Sequence, residues 1–170
     1  NPGEELLVIA PYFGEYANYA SNVDAKLVVV QPNTPSFQPD IEAVKAAITP
    51  LTKAIIVNSP NNPTGVIYSE ETIKSLSYAL YEKQREYDTH IYIISDEPYR
   101  ELVYGGTAVP FIPKYYKNTI IGYSFSKSLS LPGERIGYLV IPREADDSAE
   151  IIEAATVANR ILGFVNAPSL

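Results

Sequence analysis

A chain of 170 residues is long enough to bury a core of its own and has the size of one domain. Its 46% hydrophobic and 19% charged residues are those of an ordinary globular protein, while a net charge of −7 lacks the clustered Lys and Arg that phosphate neutralisation needs and argues against nucleic acid as a partner. The absence of cysteine excludes disulfides and thiolate metal sites, and the single His90 excludes any multi-histidine metal site.

Short apolar runs alternate with longer amphipathic stretches, the pattern of an α/β fold. Residues 6–10 form the first predicted strand and run into Pro11-Tyr12-Phe13. Residues 26–30 form the second, followed by a loop over 31–39 that holds three prolines. A helix is predicted over 41–48 and a strand over 54–58, ended by the proline- and glycine-bearing segment 59–65. The helix predicted over 69–87 opens with Ser69-Glu70-Glu71-Thr72, a hydroxyl cap followed by acidic residues that suit the positive end of the helix dipole. Its Ile73, Leu76 and Leu80 recur at helical spacing and make one buried stripe. A strand at 91–95 follows His90, which reads as a surface turn residue; segment 105–113 then links to strands at 119–123 and 136–141. The last element is a helix over 143–162, apolar along Ile151, Ile152, Ala155 and Ile161. Most of the strands are continuous aliphatic runs, as in a sheet covered on both faces.

No apolar run approaches the roughly 20 residues needed to span a bilayer, and the first residues lack the basic and apolar parts of a signal peptide, so no membrane association and a cytoplasmic location are expected. The chain has no Met, so it is expected to be processed or cut from something longer.

In an open α/β sheet, ligands bind beyond the carboxyl ends of the strands. Four polar clusters follow predicted strand ends: Pro11-Tyr12-Phe13, Ser59 to Gly65, Ser95-Asp96-Glu97-Pro98-Tyr99, and Ser124-Phe125-Ser126-Lys127. Each has an ordinary reading by itself. Asn-Pro-Thr-Gly makes a good turn, an Asp at a strand end caps helices, a Lys between serines is a solvated loop, and a lone Phe13 belongs in a core. The four together, in this order, are a different matter.

Three stretches, N-S-P-N-N-P-T-G (58–65), S-D-E-P-Y (95–99) and S-F-S-K-S-L-S-L-P-G-E-R-I-G-Y (124–138), resemble the class I/II aminotransferases, pyridoxal-phosphate enzymes with the aspartate aminotransferase fold. Lys127 and Arg135, eight residues apart ahead of Gly137-Tyr138, carry most of that resemblance. It implies a three-layer α/β/α sandwich with a mostly parallel sheet. Residues 1–170 would form a single cofactor-binding large domain, without its N-terminal segment and without the C-terminal small domain. It also implies roles. Lys127 would hold pyridoxal 5′-phosphate covalently and move a proton. Asp96 would pair with the protonated ring nitrogen, and Asn62 and Tyr99 would bond the ring's phenolic oxygen. Phe13 would stack on the ring, while Ser124 and Arg135 would bind the phosphate.

The physics fits those residue types. A carboxylate in a poorly solvated site stabilises a pyridinium by direct charge pairing. An amine reacts with an aldehyde only when neutral, which burial and nearby positive charge favour. A planar guanidinium suits bidentate phosphate binding. The partners implied are an amino acid and a 2-oxo acid, with a second copy of the chain in a homodimer. Three family parts are expected outside these residues: a Gly/Ser/Thr phosphate loop and a tyrosine lent by the partner subunit upstream, and an arginine for the substrate carboxylate downstream. The isolated piece is therefore expected to bind cofactor weakly and turn over negligibly. A dicarboxylic or an aliphatic or aromatic substrate is open, because the position where some relatives carry a side-chain arginine near Asn166 matches Ile161, one residue from Arg160. A carbon–sulfur lyase and a cofactor-sensing domain of a transcription regulator are alternatives on the same scaffold.

Overall fold

Among the described residues, six strands and five helices are arranged as β1 (Glu5–Ile9), α1 (Glu15–Ser21), β2 (Lys26–Val30), α2 (Ile41–Ala47), β3 (Thr52–Asn58), α3 (Glu70–Tyr87), β4 (Tyr92–Asp96), β5 (Thr119–Ser124), α4 (Phe125–Ser128), β6 (Gly137–Val140) and α5 (Ser148–Ile161). Short 3-10 turns lie at Ile112–Lys114 and Pro132–Glu134. The computed structural model describes residues 1–161; the expected match around Asn166 lies outside the described residues. All six predicted strands are present, and they form one sheet in the order β2-β1-β3-β4-β5-β6. Pairing is parallel from β2 through β5, and only β6 runs antiparallel to its neighbour. The mostly parallel α/β sheet is the one expected.

Alternation along each strand sorts the side chains onto two faces. Leu7 and Ile9 of β1, Ile55 and Val57 of β3 and Ile93 of β4 join Val44 of α2 and Ile73, Leu76 and Leu80 of α3 in the main core. The helices earn this position by their caps as well as their stripes. Asp40 accepts the Ala43 amide at 3.0 Å ahead of α2, and Ser69 accepts the Thr72 amide at 3.0 Å ahead of α3. Tyr116 closes the core's end, fully buried, with its hydroxyl donating to the Ile91 carbonyl at 2.6 Å.

The other face carries less cover among the described residues. Val8, Ile56 and Tyr16 make a small second cluster, with Leu6, Tyr12, Leu27 and Ile94 at its margin. Helix α1, which supplies Tyr16, is absent from the sequence reading. Strand β6 is exposed along its whole length, and α5 buries none of its residues. The apolar positions Ile152 and Ile161 of α5 are 49% and 78% exposed, so its predicted stripe meets no core within the described residues.

Helix α5 also begins later than predicted, at Ser148, because the residues before it are used as a clasp. Asp146 is held by Lys117, by Asn118 at 2.9 Å and by His90 at 2.9 Å, and Tyr92 donates to Asp147 at 3.0 Å. His90 is the exposed loop residue expected, put to use as one arm of this clasp.

Two predictions follow the asymmetry. Leu76→Ala, in the main core, should cost about 3 kcal/mol in urea denaturation, whereas Ile152→Ala on α5 should cost less than about 1 kcal/mol. Lys117 first, then Asn118, hold the Asp146 carboxyl below its ordinary value. The clasp therefore contributes stability above the ordinary carboxylate range and loses it as the pH falls through the depressed value. The stability difference between wild type and Asp146→Asn, measured by the same denaturation, should be present at pH 7 and shrink at pH 3.

Candidate active site at the carboxyl ends of the strands

The alternation that puts Ile56 and Ile94 on the thin face continues to Asn58 at the end of β3 and Asp96 at the end of β4. Asn58 and Asp96 are register partners, and Asp96 is in turn level with Gly122 of β5. Three adjacent strands thus deliver an amide, a carboxylate and a bare backbone to one line. A Cβ at Gly122 would touch Leu139 and the Ser95 carbonyl at ordinary contact distance, so glycine here leaves space open beside Asp96.

The loops above this line are fixed by side chains. Asn58 accepts the Asn62 amide at 2.6 Å and donates to the Asp96 carbonyl at 2.9 Å, joining two of the predicted clusters. The segment 59–65 is also the turn that its residues suggest: Asn61 accepts the Thr64 amide and hydroxyl, and Gly65 takes φ +73°, a conformation that other residues resist. After β4, buried Glu97 accepts from Ser95 at 2.7 Å and from Arg100 at 3.0 Å. Arg100 then reaches the Val109 and Pro110 carbonyls, closing the loop that starts at Tyr99.

Ser124 ends β5 and caps α4 by accepting the Ser126 amide at 3.1 Å. One turn on, the Lys127 amine lies 5.8 Å from the centre of the Tyr99 ring. Arg135 sits in a left-handed conformation at φ 51° and donates to the Pro132 carbonyl at 2.9 Å rather than pairing with Glu134. Behind it, Gly137 lies so close to the Tyr123 carbonyl that no Cβ could be accommodated.

Seven sequence-predicted residues, Phe13, Asn62, Asp96, Tyr99, Ser124, Lys127 and Arg135, all line one cavity of about 580 Å³. Phe13 is 40% exposed and meets Tyr16 edge-on, so it is a wall of the cavity and no core residue. Lys127 is exposed; the burial expected around an activated amine is not supplied by the described residues, and Arg135 is the other cationic residue lining the same cavity. Burial raises the Asp96 carboxyl, and a hydrogen bond from the Tyr16 hydroxyl at 2.5 Å lowers it in part. Burial first, then the Asp96 charge, keep the Tyr16 phenol protonated well above its usual range.

Tyr16, Asn58 and Ser126 also line the cavity and were given no role by the sequence. Phe13, Tyr16 and Tyr19 recur every third residue, which is the spacing of one helical face and the one signal that could have revealed α1.

Asn58→Ala should strand the Asn62 amide and the Asp96 carbonyl without partners at a site only 5% exposed. We expect a loss of about 2 kcal/mol in denaturation and faster hydrogen exchange at the Asn62 amide by NMR.

The family described as aminotransferase class I and II matches residues 1–168. A probable aspartate/prephenate aminotransferase from Thermus aquaticus is 38% identical over 148 residues, covering 84% of this chain and 36% of that protein. An amino transferase structure from Eubacterium rectale is 52% identical with a TM-score of 0.95, covering 99% of this chain and 42% of that one. The aspartate aminotransferase of Thermus thermophilus with maleate is 32% identical with a TM-score of 0.82, covering 99% and 41%. The chain thus spans about two fifths of the length of these relatives. With the motif residues gathered on one sheet edge and the family matched from end to end, the chain belongs to the class I and II aminotransferases.

Proposed function

We propose that the chain is the cofactor-binding large domain of a pyridoxal-phosphate-dependent aminotransferase, whose whole protein moves an amino group between an amino acid and a 2-oxo acid. The carrying observation is the gathering of an acid, an amine, a guanidinium and five hydroxyls around one cavity of about 580 Å³. That donor set suits pyridoxal 5′-phosphate, which has a basic ring nitrogen, an aldehyde and a phosphate. When bound, this group supplies an electron sink for the carbon beside the substrate amine.

The chain's own residues would prepare that chemistry. Asp96, a largely desolvated carboxyl lining the cavity, would hold a proton on the ring nitrogen, because a carboxylate out of bulk water pairs strongly with a cation. Asn62 and Tyr99 would orient the ring through its phenolic oxygen. Phe13 would cover one ring face and exclude water from it. Ser124 and Arg135 would anchor the phosphate, with the guanidinium giving paired, charge-assisted bonds. Lys127, beside Tyr99, would be the attachment point, and its amine would take the proton from the substrate carbon and return it nearby. A homodimer in the cytoplasm belongs to the same proposal and rests on the family.

Treating the whole protein with pyridoxal phosphate and borohydride should attach the cofactor to Lys127, read by peptide mass mapping. Lys127→Ala should abolish the adduct. Asp96→Asn should keep it but slow proton removal from the substrate carbon by at least about 100-fold. Reduction onto another lysine would overturn the assignment.

A further inference from the structure

We infer that Tyr16 is a positioning residue for Asp96: its hydroxyl holds one carboxylate oxygen, keeping the acid ionised and presenting the other oxygen to the cavity. The inference rests on the proposed reading of the cavity, and it starts from geometry. The Tyr16 hydroxyl donates to Asp96 Oδ2 at 2.5 Å across eighty residues of sequence. Among the described residues, Oδ1 accepts no side-chain hydrogen bond, and no fully buried side-chain oxygen or nitrogen lacks a partner. Oδ1 is therefore the oxygen left facing open space. The backbone of Asp96 is fixed in β4 with its carbonyl held by Asn58, so the Tyr16 hydroxyl is the contact that sets how the carboxyl is turned.

The phenol is equally constrained. Tyr16 is 5% exposed, with the Tyr12 ring stacked 6.5 Å away, Phe13 edge-on at 5.7 Å and Tyr19 tilted at 6.4 Å. A seven-residue helix with little core beneath it thus holds its one buried phenol in a single place. A hydrogen bond to a charged oxygen stabilises the charge, and a donor fixed beforehand does so without reorganising. The other ionisable groups facing Asp96 in the cavity are Tyr19 on α1, Tyr99 after β4, Lys127 on α4 and Arg135 beyond it. Tyr16 alone among them makes a hydrogen bond to the Asp96 carboxylate. Lys127 and Arg135 make none, and each is exposed to solvent that screens its charge.

The test reads the acid itself. In the chain with 13C-labelled aspartate, the Asp96 carboxyl carbon is titrated by NMR without cofactor. Tyr16→Phe keeps the buried ring and removes only the hydroxyl. The Asp96 midpoint should rise by about one pH unit, the size expected for a charge-assisted hydrogen bond. Asp146, on the far side of the molecule, should titrate unchanged and report an intact fold, and Tyr78→Phe, on an exposed position of α3, should shift nothing. The reciprocal variant Asp96→Asn should move the Tyr16 ring-carbon resonance beside the hydroxyl. An Asp96 midpoint unmoved in Tyr16→Phe, with Asp146 intact, overturns the inference, and so does an unmoved Tyr16 resonance in Asp96→Asn. Millimolar pyridoxal phosphate is then added to the whole wild-type protein, where the Asp96 resonance should shift. A Tyr16-dependent midpoint with no response to pyridoxal phosphate overturns the reading of the cavity while leaving the hydrogen bond in place.

Discussion

Everything at the site depends on the parallel register of three strands. When β3, β4 and β5 run side by side in step, Asn58, Asp96 and Gly122 arrive at the same height on the same face. A slip of one residue in β4 would turn Asp96 into the main core and bring Ser95 or Glu97 to the cavity, since neighbouring residues point to opposite faces. The register is guarded by the main core, where Ile55, Val57 and Ile93 must all stay beneath α3. Packing on one face of the sheet thereby fixes chemistry on the other.

The polar groups above the sheet form a chain of mutual restraint. Asn58 couples the turn that carries Asn62 to the strand end that carries Asp96. Glu97 and Arg100 hold the next loop, while Asp96 and Tyr99 of that segment line the cavity. Ser124 does double duty, capping α4 while lining the cavity. In a chain of net charge −7, the cavity itself is lined by two cationic residues, Lys127 and Arg135, and one carboxylate. Overall charge said nothing of this, because an acidic protein can keep a locally basic pocket.

Much of this was legible in the residues. Most of the strands are built around runs of Val, Ile and Leu that suit a buried sheet, and most of the site residues follow the ends of such runs. The long helix α3 announced itself by cap and stripe. What was hidden has physical reasons. Helix α1 has seven residues, no side-chain cap and no aliphatic stripe, so neither start signal nor period stands out. Tyr16 looked like one tyrosine among 14, and its importance comes from an acid that the fold brings to it. The late start of α5 depends on a clasp between residues far apart in sequence. The exposure of β6 and α5 was equally invisible, because an apolar residue declares a wish for cover and does not say where the cover comes from.

Strand β6 has a practical consequence. Within the described residues it bonds only to β5, so its outer rim shows a row of unpaired amide and carbonyl groups. Tyr138, Leu139 and Val140 stand exposed along it, and none of its four residues is a proline or a charge that would repel a visiting strand. A rim of that kind templates pairing with any extended backbone. Handled alone, these residues will be prone to aggregation at high concentration, and shielding that rim will matter more to yield in solution than strengthening an already well-filled core.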